Sequence, residues 1–183
     1  MRTFLALELP NNIKEYLSTV AKTMSQRISD VKWVKAEGQH VTFKFFGEIE
    51  DKKAQEIGEA LQGIGKQYAA IPVRLKEINA FPNLMRPRVI VVTFQEGVDN
   101  VKAIFHDIES RLLTANIDRE KRGFSPHITL GRVKNSLPLL KRDIIPLEEK
   151  SFLLYNLVLY QSTLTREGAV YTPLKEIKLE RNI

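Results

Sequence analysis

The spacing of apolar and polar positions divides the chain into elements. Residues 2–9, RTFLALEL, are almost continuously apolar and predict a buried strand. Pro10 and Asn11 then open a helix running to about Ile28, with Ile13, Leu17, Val20, Ala21 and Met24 at helical spacing. Trp33–Val34 is a short extended piece, and 40–49 form the next strand. A helix over 51–68 turns Ala54, Ile57, Leu61 and Ile64 to one side, with Gly58, Gly63 and Gly65 weakening its end. Strands at 71–80 and 88–95 flank the proline-bearing loop FPNLMRP. A third helix, 98–115, turns Val101, Ile104, Phe105, Ile108, Leu112 and Leu113 inward. A basic loop, NIDREKRGFSP, leads to a strand at 127–133, and a short helix is expected over 137–143. Strands at 151–161 and 169–179 form a hairpin around Thr165–Gly168, where Gly168 supplies a positive φ.

The resulting order, βαβαββαβ(α)ββ, predicts an α+β fold: two antiparallel sheets facing each other with helices outside. The two halves of the chain repeat a similar pattern. Two pseudo-symmetric lobes across a central groove are therefore expected, forming one bilobal domain over residues 1–183.

Composition narrows the chemistry. The 183 residues are 43% hydrophobic and 27% charged, ordinary for a globular protein. Cysteine is absent, which excludes disulfides, zinc–thiolate sites, iron–sulfur clusters and thiol catalysis. No run approaches the ~18 apolar residues of a membrane span, and MRTFLALELPNN lacks the features of a signal peptide. A cytoplasmic location is expected. The net charge of +6 favours an anionic partner, of which nucleic acid is the commonest. Basic clusters stand at Arg86–Arg88 and at Arg119, Lys121 and Arg122.

The chain has three histidines, and two of them share a setting. His40 and Thr42 lie in GQHVTFKFFGEI; His127 and Thr129 lie in SPHITLGRV. Side chains alternate along a strand, so each His and Thr point the same way. Alternation carries Lys44 and Phe46 onto the His40 side, and sends Val41, Phe43 and Phe45 into the core. Each motif is a polar pair on an apolar backing. Two imidazoles facing one ligand suit phosphoryl transfer, in which one oxygen loses a proton and another gains one. The threonine hydroxyls can donate to non-bridging phosphate oxygens. His106, in the third helix with no Thr two residues on, reads as a surface residue. A His-based zinc site has no carboxylate on either motif's face to complete it, so no metal or other cofactor is expected.

The motifs HVTF and HITL, with RTFLALELP, AFPNLMRPRVI and LVLYQSTLTREGAVYTPL, resemble the 2H phosphoesterase superfamily, in its RNA 2′,3′-cyclic phosphodiesterase (2′-5′ RNA ligase) branch. The resemblance covers nearly the whole chain. It implies hydrolysis of an RNA 2′,3′-cyclic phosphate end to a 2′-phosphate, and ATP-independent joining of such an end to a 5′-hydroxyl. It implies His40 as general acid, His127 as general base, and Thr42 and Thr129 as phosphate-binding hydroxyls. It also gives Arg132 a role, as an Arg five residues after the second histidine. Simple alternation puts Arg132 on the face opposite His127, so the strand must end or bulge before it. Phe46 is the candidate for stacking on a base. The expected partner is RNA with a cyclic phosphate end, tRNA-like fragments among the candidates. The protein is expected to be a monomer with no membrane partner. Two other readings are a 2H esterase for a small cyclic nucleotide or ADP-ribose cyclic phosphate, and a non-catalytic RNA-end-binding protein.

Overall fold

The fold was obtained as a computed structural model, which describes residues 1–135, 137–166 and 168–180. In chain order the elements are β1 (Arg2–Glu8), α1 (Asn11–Ser25), β2 (Val31–Trp33), β3 (His40–Glu48), α2 (Asp51–Ala60), α3 (Ile64–Gln67), β4 (Ile71–Phe81) and β5 (Val89–Glu96). They continue as α4 (Val98–Leu112), β6 (Ile128–Val133), β7 (Ser151–Leu154), β8 (Asn156–Thr165) and β9 (Gly168–Lys178). The strands make two antiparallel sheets, in the orders β3-β1-β8-β9 and β2-β6-β5-β4-β7. The fold class is α+β, as the pattern predicts.

One apolar core joins both sheets to the helices. Leu5 and Leu7 of β1, Leu17 of α1, Val41 of β3, Ile104 of α4 and Ile128 of β6 are all fully buried within it. The inward positions of α1 are those that helical spacing selects, Ile13, Leu17, Val20, Ala21 and Met24.

Three boundaries differ from expectation, each for a local or pairing reason. The helix over 51–68 stops after Ala60 and restarts as the single turn α3, because Gly63 takes φ +84°. The expected helix at 137–143 shrinks to a 3₁₀ turn at Lys141–Asp143. Pro138 disfavours a helical conformation at Leu137. The strand expected over 151–161 breaks at Tyr155: β7 pairs with β4 in one sheet, and β8 pairs with β1 in the other. The hairpin forms, with Thr165 opposite Gly168 and Gly168 at φ +131°; Glu167 lies outside the described residues.

The similar halves of the sequence do not map onto the two sheets. β2, from the first half, edges the second sheet beside β6, while β8 and β9, from the end of the chain, complete the first. Exchange of strands binds the two sheets into one core.

Candidate active site

β3 is the edge strand of the first sheet, and its Cα atoms come within 8 Å of those of β6 in the second. The two strands of the His-x-Thr motifs thus adjoin at the seam between sheets. His40 opens β3 opposite Glu8 of β1, and Thr42 lies opposite Ala6. The ladder then skips Phe43, so that Lys44 pairs with Leu5 and Phe45 with Phe4. An extra residue in one strand turns the following side chains over.

That bulge overturns the expected faces beyond Thr42. Lys44 points inward, where its Nζ lies 2.7 Å from Glu109 Oε1 and 2.8 Å from the Asp118 carbonyl. It is only 7% exposed and is not a groove residue. Phe45 takes the His40 side: the Phe4 ring lies 4.9 Å from His40 and 5.7 Å from Phe45, between centroids. Phe46 is skipped in turn, as the ladder passes from Phe45–Phe4 to Gly47–Thr3, and it packs against the core. The aromatic on the motif face is therefore Phe45, 65% exposed, rather than Phe46.

β6 repeats the device. Thr129 lies opposite Val91 and Gly131 opposite Ile90, with Leu130 skipped. The bulge falls three residues after the histidine in both motifs. Each bulge returns the residue five after the histidine to that histidine's face: Phe45 in one motif, Arg132 in the other. Arg132 is close enough for its charge to act on His127. The glycines that follow the motifs serve different ends. Gly47 takes φ +73°, whereas a Cβ on Gly131 would lie 2.5 Å from Val31 Cγ1 and 3.1 Å from the Trp33 ring.

The histidines are held differently. The His127 Nδ1 lies 2.7 Å from the Ser125 carbonyl oxygen. A carbonyl can only accept, so Nδ1 carries the hydrogen and Nε2 of the neutral ring is left as an acceptor. Phe81 meets this ring edge-on at 5.0 Å. His40 sits among aromatics, stacked on Phe4, with Tyr160 at 6.1 Å and Tyr171 edge-on at 5.8 Å. The hydroxyls of Thr42 and Thr129 make no hydrogen bond to another described residue, so both are free to donate. No three His, Asp or Glu side chains among the described residues cluster closely enough to hold a metal. His106 is exposed on α4, touching Phe105.

Comparison with known proteins gives this geometry a family. A family model described as "LigT like Phosphoesterase" matches residues 7–91. An RNA 2′,3′-cyclic phosphodiesterase of Methanocaldococcus jannaschii is 35% identical over 182 residues, 96% of this chain and 99% of that protein. The chain belongs to the LigT-like 2H phosphoesterases. It is a hydrolase of phosphodiester bonds. An Aeropyrum pernix protein of the same name is 35% identical, covering 81% of this chain and 86% of its own. Among solved structures, a Thermus thermophilus protein superposes with a TM-score of 0.84 at 23% identity, covering all of both chains. Escherichia coli LigT complexed with 3′-AMP gives a TM-score of 0.78 at 22% identity over 97% of each chain, a likeness of fold.

Both motif imidazoles of this phosphoesterase are pushed down. Burial, and secondarily the Lys14 ammonium, lower His40 from 6.5 to about 4, against the opposing pull of Glu8. Burial also lowers His127, aided by Arg132 and opposed by the hydrogen bond to Ser125. Sequence reasoning missed Phe4, Glu8, Phe45, Tyr160 and Tyr171. Alternation along β1 does set Phe4, Ala6 and Glu8 on one face, but the near-continuous apolar run hides which face matters. Tyr160 and Tyr171 reach His40 only through strand pairing. Lys121, Arg122, Arg86 and Arg88 are exposed, while Arg119 bonds Ser110 on α4 at 3.3 Å.

Proposed function

We propose that the protein hydrolyses the 2′,3′-cyclic phosphate end of RNA to a 2′-phosphate, with His40 as general acid and His127 as general base. The observation carrying this reading is the pair of His-x-Thr strands, each with the same bulge and a free threonine hydroxyl, adjoining at one seam. Water attacks phosphorus while its proton passes to Nε2 of His127, the nitrogen left bare by the Ser125 bond. The P–O3′ bond breaks, and His40 gives its proton to the departing 3′-oxygen. Thr42 and Thr129 donate to the non-bridging oxygens, and Arg132 adds positive charge beside them. Phe45 offers an exposed ring for the terminal base. No step calls for a metal. A 5′-hydroxyl in place of water would form a 2′-5′ linkage without ATP, since the cyclic ester already holds the leaving group. The chain acts as one bilobal domain and as a monomer.

His40 must be protonated to act as an acid, yet burial holds it near 4 in the free protein. A bound phosphate anion brings negative charge beside it and raises it. Substrate thus completes the acid.

A basic surface beside His127 favours RNA over a cyclic mononucleotide. The loop after Phe81 carries Arg86 and Arg88, and the stretch after β6 carries Lys134, Lys141 and Arg142. The segments are tied together where the Leu139 N–H donates to the Leu84 carbonyl at 2.8 Å. All five cations are exposed, and none makes an ion pair or side-chain hydrogen bond to another described residue. The deciding assay compares turnover of an RNA oligomer ending in a 2′,3′-cyclic phosphate with that of 2′,3′-cyclic mononucleotides. Preferred cleavage of the oligomer, leaving a 2′-phosphate, is expected. Preference for the mononucleotide would favour the small-nucleotide reading, and binding without turnover the non-catalytic one.

A further inference from the structure

We infer that Glu8 is a positioning residue for the acid step: its carboxylate, fixed opposite His40, biases the imidazole towards the protonated form that can donate. The inference rests on the reading of His40 as the general acid. Glu8 closes β1 and faces His40 directly across the antiparallel ladder. Side chains so opposed have Cβ atoms about 4.5–5.5 Å apart. The carboxylate is held by two donors, with the Tyr160 hydroxyl nearby. Lys14 Nζ of α1 reaches Oε1 at 3.2 Å, and Asn156 Nδ2 of β8 reaches Oε2 at 2.9 Å. Asn156 also donates to Glu176 Oε2 of β9 at 3.1 Å.

The bond from Asn156 does not itself require this charge, since a neutral glutamine could accept it equally well. The charge acts on the groups beside it, the Lys14 ammonium and the His40 imidazole. The gain lies at His40. The groups gathered around its ring are Phe4 and Glu8 from β1, Lys14 from α1, Tyr160 from β8 and Tyr171 from β9. Burial and Lys14 disfavour the imidazolium, and Glu8 is the group that favours it. Tyr160 cannot supply a negative charge, since burial, with Glu8 and Glu176 nearby, pushes its hydroxyl up to about 12. The Lys14–Glu8 contact also occupies the one cation that works against His40.

The test is Glu8→Gln, which keeps size and acceptors and removes the charge. His40 is followed by NMR titration in the ligand-free protein, beside the pH dependence of kcat and KM. We expect His40 to titrate about 0.5–1 pH unit lower than in the wild type. kcat at neutral pH should fall roughly 3–10-fold with KM nearly unchanged, following the lost protonated fraction. Lys14→Met should move the titration the opposite way. An unmoved His40 in folded Glu8→Gln overturns the inference. If that variant does not fold, Glu8→Ala decides instead: a lowered titration supports the inference and an unmoved one overturns it. A lowered titration with an unchanged rate would refute His40 as the acid, and the positioning role with it. The titration needs no substrate, so the two failures are distinguishable.

Discussion

At the residue scale, His40 couples folding to pH. Its imidazole titrates near 6.5 when unfolded and about 4 when folded. Above 6.5 both states carry a neutral ring. Between 6.5 and 4 only the unfolded chain takes up the proton, so stability falls as pH falls through that window. The loss approaches about 3 kcal/mol at ~1.4 kcal/mol per pH unit, reduced by the water that reaches the half-buried ring. Urea unfolding at pH ~7 and ~4.5 should show wild type losing about 1–3 kcal/mol more than His40→Gln; equal losses would count against a buried neutral ring. In catalysis, His40→Ala and His127→Ala should each lower kcat by ~10²–10⁴, while His106→Ala stays within a few-fold of wild type. With both imidazoles lowered, the bell of kcat/KM against pH should peak below 6.5. A maximum well above neutrality would contradict that electrostatic picture. The two neighbouring phenylalanines should also separate. Phe45→Ala should raise KM with stability within about 0.5 kcal/mol of wild type. Phe46→Ala should cost about 1–3 kcal/mol and leave KM little changed.

At the element scale, the bulges matter more than the strands' composition. By skipping Phe43 and Leu130, β3 and β6 place a fifth residue back on the histidine's side. The same bulge on β3 sends Lys44 down to Glu109 of α4, whose other oxygen accepts from the Glu120 N–H. This buried pair anchors the loop that delivers His127. Lys44→Met leaves a carboxylate buried without its partner and should destabilise by about 3–5 kcal/mol. Adding Glu109→Leu should recover a large share, and a double variant no better than the single one would show that the pair is not coupled. β2 depends on Gly131 in a similar way. Gly131→Ala drives a methyl into Val31 and Trp33, so β2 must lift from β6, at a cost on the order of 1–3 kcal/mol in thermal or urea unfolding.

At the scale of the whole molecule, the +6 net charge is spread unevenly in its effect. Some lysines and arginines make ion pairs, such as Lys14–Glu8, Lys53–Glu56 and Arg111–Asp107. Among the others, the exposed Arg86, Arg88, Lys134, Lys141 and Arg142 flank the His127 side of the site, where the proposed RNA backbone would run. Turnover of an RNA oligomer should therefore fall steeply as salt rises, while turnover of a cyclic mononucleotide changes little. Replacing Arg86 and Arg88 together by Ala should flatten the oligomer's salt slope by about two and leave mononucleotide hydrolysis intact. An unchanged slope would place the RNA elsewhere.

The α+β class, the inward face of α1 and the four motif residues His40, Thr42, His127 and Thr129 are legible in the chain alone. Each is written in a short window: helical or alternating period, and the identity of neighbours two residues apart. The family, too, was legible there, because the paired motifs lie in the chain itself. Tertiary structure decided the rest. Whether Phe45 or Phe46 joins His40, and whether Arg132 reaches His127, depends on one unpaired residue in each ladder, and a ladder exists only once its partner strand is in place. Tyr155 splits the single strand expected over 151–161 because its two sides pair with different sheets. Glu8, Tyr160 and Asn156 gather at His40 from positions up to 152 residues apart (160 − 8). Local periodicity reports which side of a strand is apolar; only the packing of distant strands decides what that side meets.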